Sequence, residues 1–254
     1  VAAEKLKHLL RKFSRLDQVK QKDAAMVKVL LADSPVMANR VITFGRLCWN
    51  DFLEHQLVDE NPFVAVKRYK GGKRTRLFTW EEWNTIKSKG DALLGLIMDG
   101  MFLLDQRIND VLKIDERDLL EQGIYVKQQK TKKELIIAWN DDIRVWAAAC
   151  RAAHGKVLVL EDARRARPLL RHKGRRVSYQ MAYDRWTRAC AAAGVEDAHQ
   201  HDGRAFSATE AKRQGLDPQK LLGHDEAATT KIYLRDREIE VVQGPRIRRQ
   251  IGAA

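Results

Sequence analysis

The sequence predicts a mainly α-helical protein in two units, with a small antiparallel β-sheet in the second. Three observations carry that reading. Apolar residues recur at helical spacing along most of the chain, paired-strand patterning appears in a single stretch around residues 123–137, and composition breaks near residue 70 into a Gly pair among Lys and Arg. A length of 254 residues is enough for one large or two modest cores.

Residues 1–16 place Leu6, Leu9, Leu10 and Phe13 on one helical face, with Lys and Arg between them. Residues 17–31 repeat the pattern with Val19, Ala25, Met26, Val29 and Leu30. Ser34-Pro35 then reads as a cap and first helical residue for a third helix through Val41, Phe44, Leu47, Cys48, Phe52 and Leu53, ending before Asn61-Pro62. A helical unit over residues 1–66 follows, and residues 67–73 form a basic linker to a second unit over 74–236.

That unit opens with a capping box, Thr79 to Glu82, and continues through a strongly apolar helix at 92–104. Residues 105–112 turn into another helix. Residues 123–127 and 134–137 read as strands joined by a turn rich in lysine. A helix at 141–153 follows, and 157–160 reads as a short strand or helix fragment. Residues 166–176 form a basic loop, and Ser178 caps the helix carrying Tyr179, Gln180, Tyr183 and Trp186. Residues 237–254 have the composition of a tail.

A net charge of +13, spread along the chain, points to a polyanionic partner, nucleic acid first, because phosphate neutralisation rewards such a surface. A solvated basic protein or a binder of acidic proteins has the same charge. No apolar stretch is long enough to span a bilayer and the first residues are charged, so a membrane segment and a signal peptide are not expected and a cytoplasmic location is. The 3 cysteines, Cys48, Cys150 and Cys190, lie far apart, as reduced thiols do, and provide neither zinc spacing nor a disulfide frame.

Groups fit for phosphate contact recur. Asn39, Arg40, Thr43 and Arg46 form a polar stripe on the third helix, which suits a DNA groove or simply a solvated face. Lys67, Arg68, Lys70, Lys73 and Arg74 would lie along a DNA backbone, as Arg171, Lys173 and Arg175 in the basic loop and Gln180 and Arg185 on the next helix would.

The densest chemistry lies between His201 and Tyr233. His201 and Arg204, three apart, converge on one helical turn. Leu221-Leu222-Gly223-His224 reads as a helix end closed by glycine, which fixes a second histidine at a rigid corner, and Thr229-Thr230 precede Tyr233. Donors gathered beside a hydroxyl suit an anion under attack.

Taken in order, Gln106-Arg107-Ile108 with Asp110, Lys130-Thr131, His201-Asp202-Gly203-Arg204, Leu221-Leu222-Gly223-His224 and Thr229-Thr230-Lys231-Ile232-Tyr233 resemble the tyrosine recombinases, the phage integrases in particular. The resemblance covers residues 74–233, and the first unit matches the family's helical core-binding domain in size and position. It implies a helical core-binding domain plus a tyrosine-recombinase catalytic domain. It also implies site-specific strand exchange on double-stranded DNA attachment sites by a homo-tetramer, through a 3′-phosphotyrosine and a Holliday junction, with accessory DNA-bending proteins as possible partners.

By that resemblance Tyr233 is the nucleophile and Lys130 the general acid. Arg107, Arg204 and His224 offset charge on the non-bridging oxygens, while His201 assists proton transfer. No cofactor and no metal is implied. Lys127, Lys132 and Lys133 compete with Lys130 for its role. Asp105 stands where the family often has glycine, and Gly203 where leucine is common. Two other readings stay open: DNA relaxation of the type IB topoisomerase kind, and a DNA-binding regulator without strand exchange. The residues expected to pack on a neighbouring protomer are Val241 and Val242.

Overall fold

A computed structural model describes residues 1–72, 74–153 and 167–234. Lys73, the segment expected at 157–160 and the tail at 237–254 lie outside the described residues. The chain divides into two compact units, Val1–Arg74 and the part from Thr75 onward.

In the first unit α1 (Ala2–Leu10), α2 (Gln21–Leu30) and α3 (Pro35–Glu54) enclose a core of Leu6, Val27, Val41, Ile42, Trp49 and Phe63. The first helix ends at Leu10, short of the expected boundary near residue 16. Ser14 there bonds the Gln18 side chain through both its backbone N–H and its hydroxyl, the local competition with helix that serine favours. The second begins at Gln21 rather than near residue 17, because Asp23 accepts from the Lys20 backbone N–H and sets the cap there. Ser34 sits at the cap of α3 without a side-chain bond, so Pro35 marks that start. Gly45 lets the chain cross α3 closely: a Cβ there would lie 2.6 Å from the Phe63 ring.

The segment expected as a linker is tied to this unit through Tyr69. Its backbone exchanges bonds with the Asn39 amide at 2.7 and 2.9 Å, its hydroxyl donates to Lys28 O at 3.0 Å, and the Lys28 ammonium lies 4.4 Å from its ring centroid. An aromatic residue with a satisfied hydroxyl makes an anchor, so composition alone misjudged the freedom of this stretch.

The second unit opens with the expected capping box: Thr79 accepts from the Glu82 N–H, and Glu82 accepts from that of Thr79, at the head of α4 (Trp80–Lys89). Next comes α5 (Ala92–Leu104), capped by Asp91. Apart from Asp99, which pairs with Lys87, its side chains are apolar because it is buried from two directions. Leu94 and Met98 meet an aromatic cluster of Phe78, Trp83, Trp186 and Phe206, while Ile97, Met101 and Leu104 meet Ile124, Val126 and Ile137.

After the short α6 (Ile108–Val111), β1 (Gly123–Lys127) pairs antiparallel with β2 (Glu134–Ala138), with Tyr125 opposite Ile136. The helix α7 (Asp141–Ala152) backs this hairpin, its Trp146 donating to Leu96 O. Where a basic loop was expected, β3 (Arg171–His172) and β4 (Arg175–Arg176) form a second hairpin. Lys173 and Gly174, both at positive φ (49° and 75°), make its two-residue turn. Buried Leu169, Leu170 and Val177 root it in the core, an apolar signal that the surrounding arginines masked.

The carboxyl part is helical: α8 (Tyr179–Ala193) capped by Ser178, α9 (Gln200–Arg213), α10 (Pro218–Leu222) and α11 (Ala227–Lys231). On α8, Trp186 is core, and Tyr183 is exposed and stacked on Tyr179. No helix among the described residues is long and apolar enough to cross a membrane.

Candidate active site

Turns and helix ends bring distant motif residues together. The apolar α5 ends at Asp105 in the left-handed conformation (φ 48°), which turns the chain so that Gln106 is buried and Arg107 emerges at the head of α6. That backbone explains why glycine suits the position before Gln106. Arg107 donates to Gln128 Oε1 at 3.2 Å, and its nearest carboxylate oxygen, on buried Asp110, is 3.9 Å away.

His201 and Arg204 stand one turn apart on α9, the first exposed and the second 1 % exposed. Gly223 caps α10 at φ 66° in the left-handed region, which turns His224 inward. The short α11 then delivers Tyr233. Its hydroxyl lies 3.4 Å from His201 Nε2, a distance that can tighten once substrate enters. Its ring centroid is 5.3 Å from the Arg204 guanidinium and 5.2 Å from the His224 ring.

Arg204 spends Nη2 on Leu222 O at 2.8 Å, while its Nε and Nη1 are buried with no partner; so is His224 Nε2. Buried donors are almost always satisfied, so unpaired ones beside the Tyr233 ring suit an anionic acceptor. His224 Nδ1 faces Thr230 Oγ1 at 3.1 Å. Burial, with the charges of Arg204 and Arg107 behind it, pushes the His224 imidazole down to about 4. It is therefore neutral near pH 7, and in the tautomer whose Nδ1 accepts from the Thr230 hydroxyl, Nε2 is a donor. Burial also lowers Arg204 from its usual value, though a guanidinium there stays charged.

A cavity of about 450 Å³ is lined by Arg107, Lys130, Tyr179, His201 and Arg204 among others. Of the lysines in and around the β1–β2 turn, Lys130 alone lines it. Lys127 pairs with Glu134 at 2.6 Å and Lys133 with Asp225 at 2.5 Å, while Lys132 faces a separate hollow beside Tyr125.

The expected DNA-contact residues divide. Arg40, Lys67, Arg68, Lys70, Lys173, Arg175 and Gln180 are exposed, Arg171 and Arg74 are half-buried, and Lys73 lies outside the described residues. Thr43 is exposed, and its hydroxyl donates to Asn39 O one turn back. Others serve the protein's own structure. Asn39 binds Tyr69, Arg46 donates to the carbonyls of Phe63, Val64 and Val66, and Arg185 bonds Asp91 at 2.9 Å. These side chains follow from packing against segments far along the chain, which helical spacing does not reveal.

Sequence reasoning also passed over Gln128. It is wholly buried between Arg107 and the α10 corner, and a lone glutamine beside a strand carries no motif signal.

Comparisons with known proteins agree in one direction. The family model for the Phage integrase family matches residues 84–239. The prophage integrase IntE of Escherichia coli (strain K12) is 27% identical over 192 residues, covering 70% of this chain and 51% of the relative. The integrase of Enterobacteria phage P21 is 26% identical over 193 residues, covering 70% and 50%. The chain thus spans about half the length of the curated relatives it matches. Among solved structures, a lambda integrase tetramer bound to a Holliday junction superposes with a TM-score of 0.79 at 19% identity, covering 95% of this chain and 73% of that one. A Tn1549 transposon integrase in complex with circular intermediate DNA gives a TM-score of 0.70 at 15% identity, covering 91% and 87%. These likenesses establish a shared fold.

Proposed function

This chain belongs to the phage integrase family, and from that premise we propose that it is a site-specific DNA recombinase that cleaves and rejoins DNA through Tyr233. The observation that carries the proposal is the set of unpaired buried donors, Arg204 Nε and Nη1 and His224 Nε2, gathered beside the Tyr233 ring. A phosphodiester resists attack largely because it is anionic, so donors held in place before substrate arrives lower the barrier without reorganising.

In the proposed reaction Arg107, Arg204 and His224 bind the non-bridging oxygens of the scissile phosphate. The Tyr233 oxygen attacks phosphorus and its proton passes to His201, the base 3.4 Å away. The bond to the 5′-oxygen breaks as Lys130 gives that oxygen a proton. The product is a 3′-phosphotyrosyl link and a free 5′-hydroxyl, and the reverse steps with a second strand's 5′-hydroxyl complete an exchange. Energy of the original bond is kept in the link, so no nucleotide cofactor enters.

Strand exchange in pairs within a tetramer on a Holliday junction belongs to this reading, supported by the lambda integrase assembly of the same fold. The basic segment at 67–70 and the hairpin residues Arg171, Lys173 and Arg175 are the proposed backbone contacts, and Arg40 and Gln180 are proposed on exposed helix faces. Accessory DNA-bending proteins and action in the bacterial cytoplasm are part of the same proposal.

The test is covalent capture. Bound sites are selected from a random DNA pool, then a nicked version lets the short 5′-hydroxyl fragment diffuse away. With chelator present, a covalent protein–DNA adduct is expected, and Tyr233→Phe abolishes it while DNA binding persists. No adduct on any selected site would sink the enzyme reading in favour of a DNA-binding regulator. Relaxation of supercoiled plasmid by a monomer without site preference would favour a topoisomerase instead.

A further inference from the structure

The side chain that connects the proposed catalytic groups to one another is Gln128, at the end of β1 and 0 % exposed. A buried primary amide has two donor hydrogens and an oxygen with two acceptor sites, and each must find a partner. Here all four are used. Gln128 Oε1 accepts from Arg107 Nη1 at 3.2 Å and from Thr131 Oγ1 at 2.6 Å. Nε2 donates to Gln106 Oε1 and to Leu222 O, both at 2.8 Å.

Each partner leads to a different part of the site. Thr131 adjoins Lys130, and the Gln128 backbone closes the same turn, accepting from Lys132 N at 2.9 Å and donating to Lys133 O at 2.8 Å. Leu222 O also accepts from Arg204 Nη2 at 2.8 Å, so a single carbonyl receives Gln128 and the buried arginine together. The residue after it is Gly223, where a Cβ would lie 2.8 Å from Gln128 Nε2; that close approach sets the corner bearing His224. Gln106 in turn donates to Leu104 O and Leu221 O, tying the end of α5 to α10.

We propose that Gln128 is a positioning residue that holds Arg107, the Lys130 turn and the Leu222–His224 corner in register for phosphoryl transfer. The inference rests on the recombinase reading above. Lys130 is exposed and its side chain has several rotatable bonds, so its place over the leaving oxygen depends on how firmly the turn beneath it is held. The turn is held to the Arg107 side of the cavity by Thr131 through the Gln128 amide, and beside it by Gln129, whose backbone N–H donates to Asp110 Oδ1 at 2.9 Å and whose amide donates to Asn109 O at 3.1 Å. Misplacement of a reacting group by about 1 Å costs on the order of 100-fold in rate.

The experiment measures single-turnover cleavage with two forms of the selected DNA site, one natural and one with sulfur replacing the scissile 5′-oxygen. A thiolate leaves without protonation, so the sulfur substrate removes the need for Lys130 and for anything acting through it. Gln128→Met keeps length and volume but loses all four bonds. It is expected to cleave natural DNA about 100-fold more slowly, to bind DNA within about threefold of wild type, and to recover roughly tenfold on the sulfur substrate. The unrecovered part reports Arg107 and the His224 corner.

Thr131→Val, a change at an exposed position that leaves the buried amide in place, is the second arm. It should slow cleavage roughly tenfold, with nearly full recovery on sulfur, while Thr131→Ser restores the natural rate. The proposal is overturned if folded Gln128→Met cleaves within about threefold of wild type. It is equally overturned if Thr131→Val has no effect, or if sulfur recovers neither variant while recovering Lys130→Ala. Absence of an adduct with wild-type protein is a different result, which removes the recombinase reading and this proposal with it.

Discussion

Replacing Asp105 by glycine should make the protein more stable, by an amount that grows with pH. Asp105 is 0 % exposed, holds φ at 48°, and has both carboxylate oxygens buried without a hydrogen-bond partner. The nearby Ser207 hydroxyl spends its proton on Phe102 O at 2.5 Å. Relief of the left-handed backbone is worth about 1 kcal/mol, and removal of an unsatisfied buried polar group about 1–3 kcal/mol. Against these, the added freedom of glycine in the unfolded chain costs about 0.5–1 kcal/mol. The net gain is about 1–3 kcal/mol before ionisation is considered.

Ionisation adds to it. Burial pushes the Asp105 carboxyl well above the usual carboxylate range, against the opposing charge of Arg204. Above about pH 4 the unfolded chain has therefore lost this proton while the folded chain keeps it. The contribution of Asp105 is fully present below its unfolded value and declines as pH rises, by about 1.4 kcal/mol per pH unit, until the folded carboxyl ionises. Asp105→Gly lacks that decline. Urea unfolding at about pH 4.5, 5.5 and 6.5, followed through the buried Trp83 and Trp186, gives the difference at each pH, and the pH response of His224 is common to both proteins and cancels. A glycine variant less stable than wild type, or an advantage that does not change with pH, would refute the reasoning.

His224 should act in the opposite sense. Its folded value near 4 lies below that of an unfolded histidine, so its contribution is full above about pH 6.5 and is lost as pH falls toward 4, by roughly 3 kcal/mol at most. His224→Asn should flatten the stability profile over that window, and an unchanged slope in urea titrations would count against it. At Gly203 a Cβ would lie 3.0 Å from the Trp83 ring and 3.4 Å from Met101 Cε, so Gly203→Leu should cost about 1–3 kcal/mol or more. Adding Trp83→Leu should return part of that loss; strictly additive effects in thermal melts would show that the two sites do not share the space.

Much of the fold was legible because its signals are local. The Thr79–Glu82 box needs only a hydroxyl and a carboxylate three residues apart, and the apolar run of α5 needs only length and burial. The Gly223 corner follows from the single residue type that adopts the left-handed region freely. Errors arose where long-range contacts compete with local patterning. Tyr69 made an expected linker part of the helical unit, and Leu169, Leu170 and Val177 rooted an expected loop in the core.

The sequence by itself determined which chemical groups are present and in what order: Arg107, Lys130, His201, Arg204, His224 and Tyr233, each inside a short recognisable pattern. Which lysine reaches the cavity, which arginines the fold itself uses and which amide joins the turns were decided by the tertiary structure alone. Lys127 and Lys133 are held by Glu134 and Asp225, while Arg46 and Arg185 are spent on backbone carbonyls and Asp91. Gln128 acquires its role from partners 21, 22 and 94 residues away in sequence. Local patterns encode the reach of a residue along its own helix or strand. A buried donor or acceptor takes whichever partner packing brings to it, because leaving it unpaired costs more than a typical bond contributes.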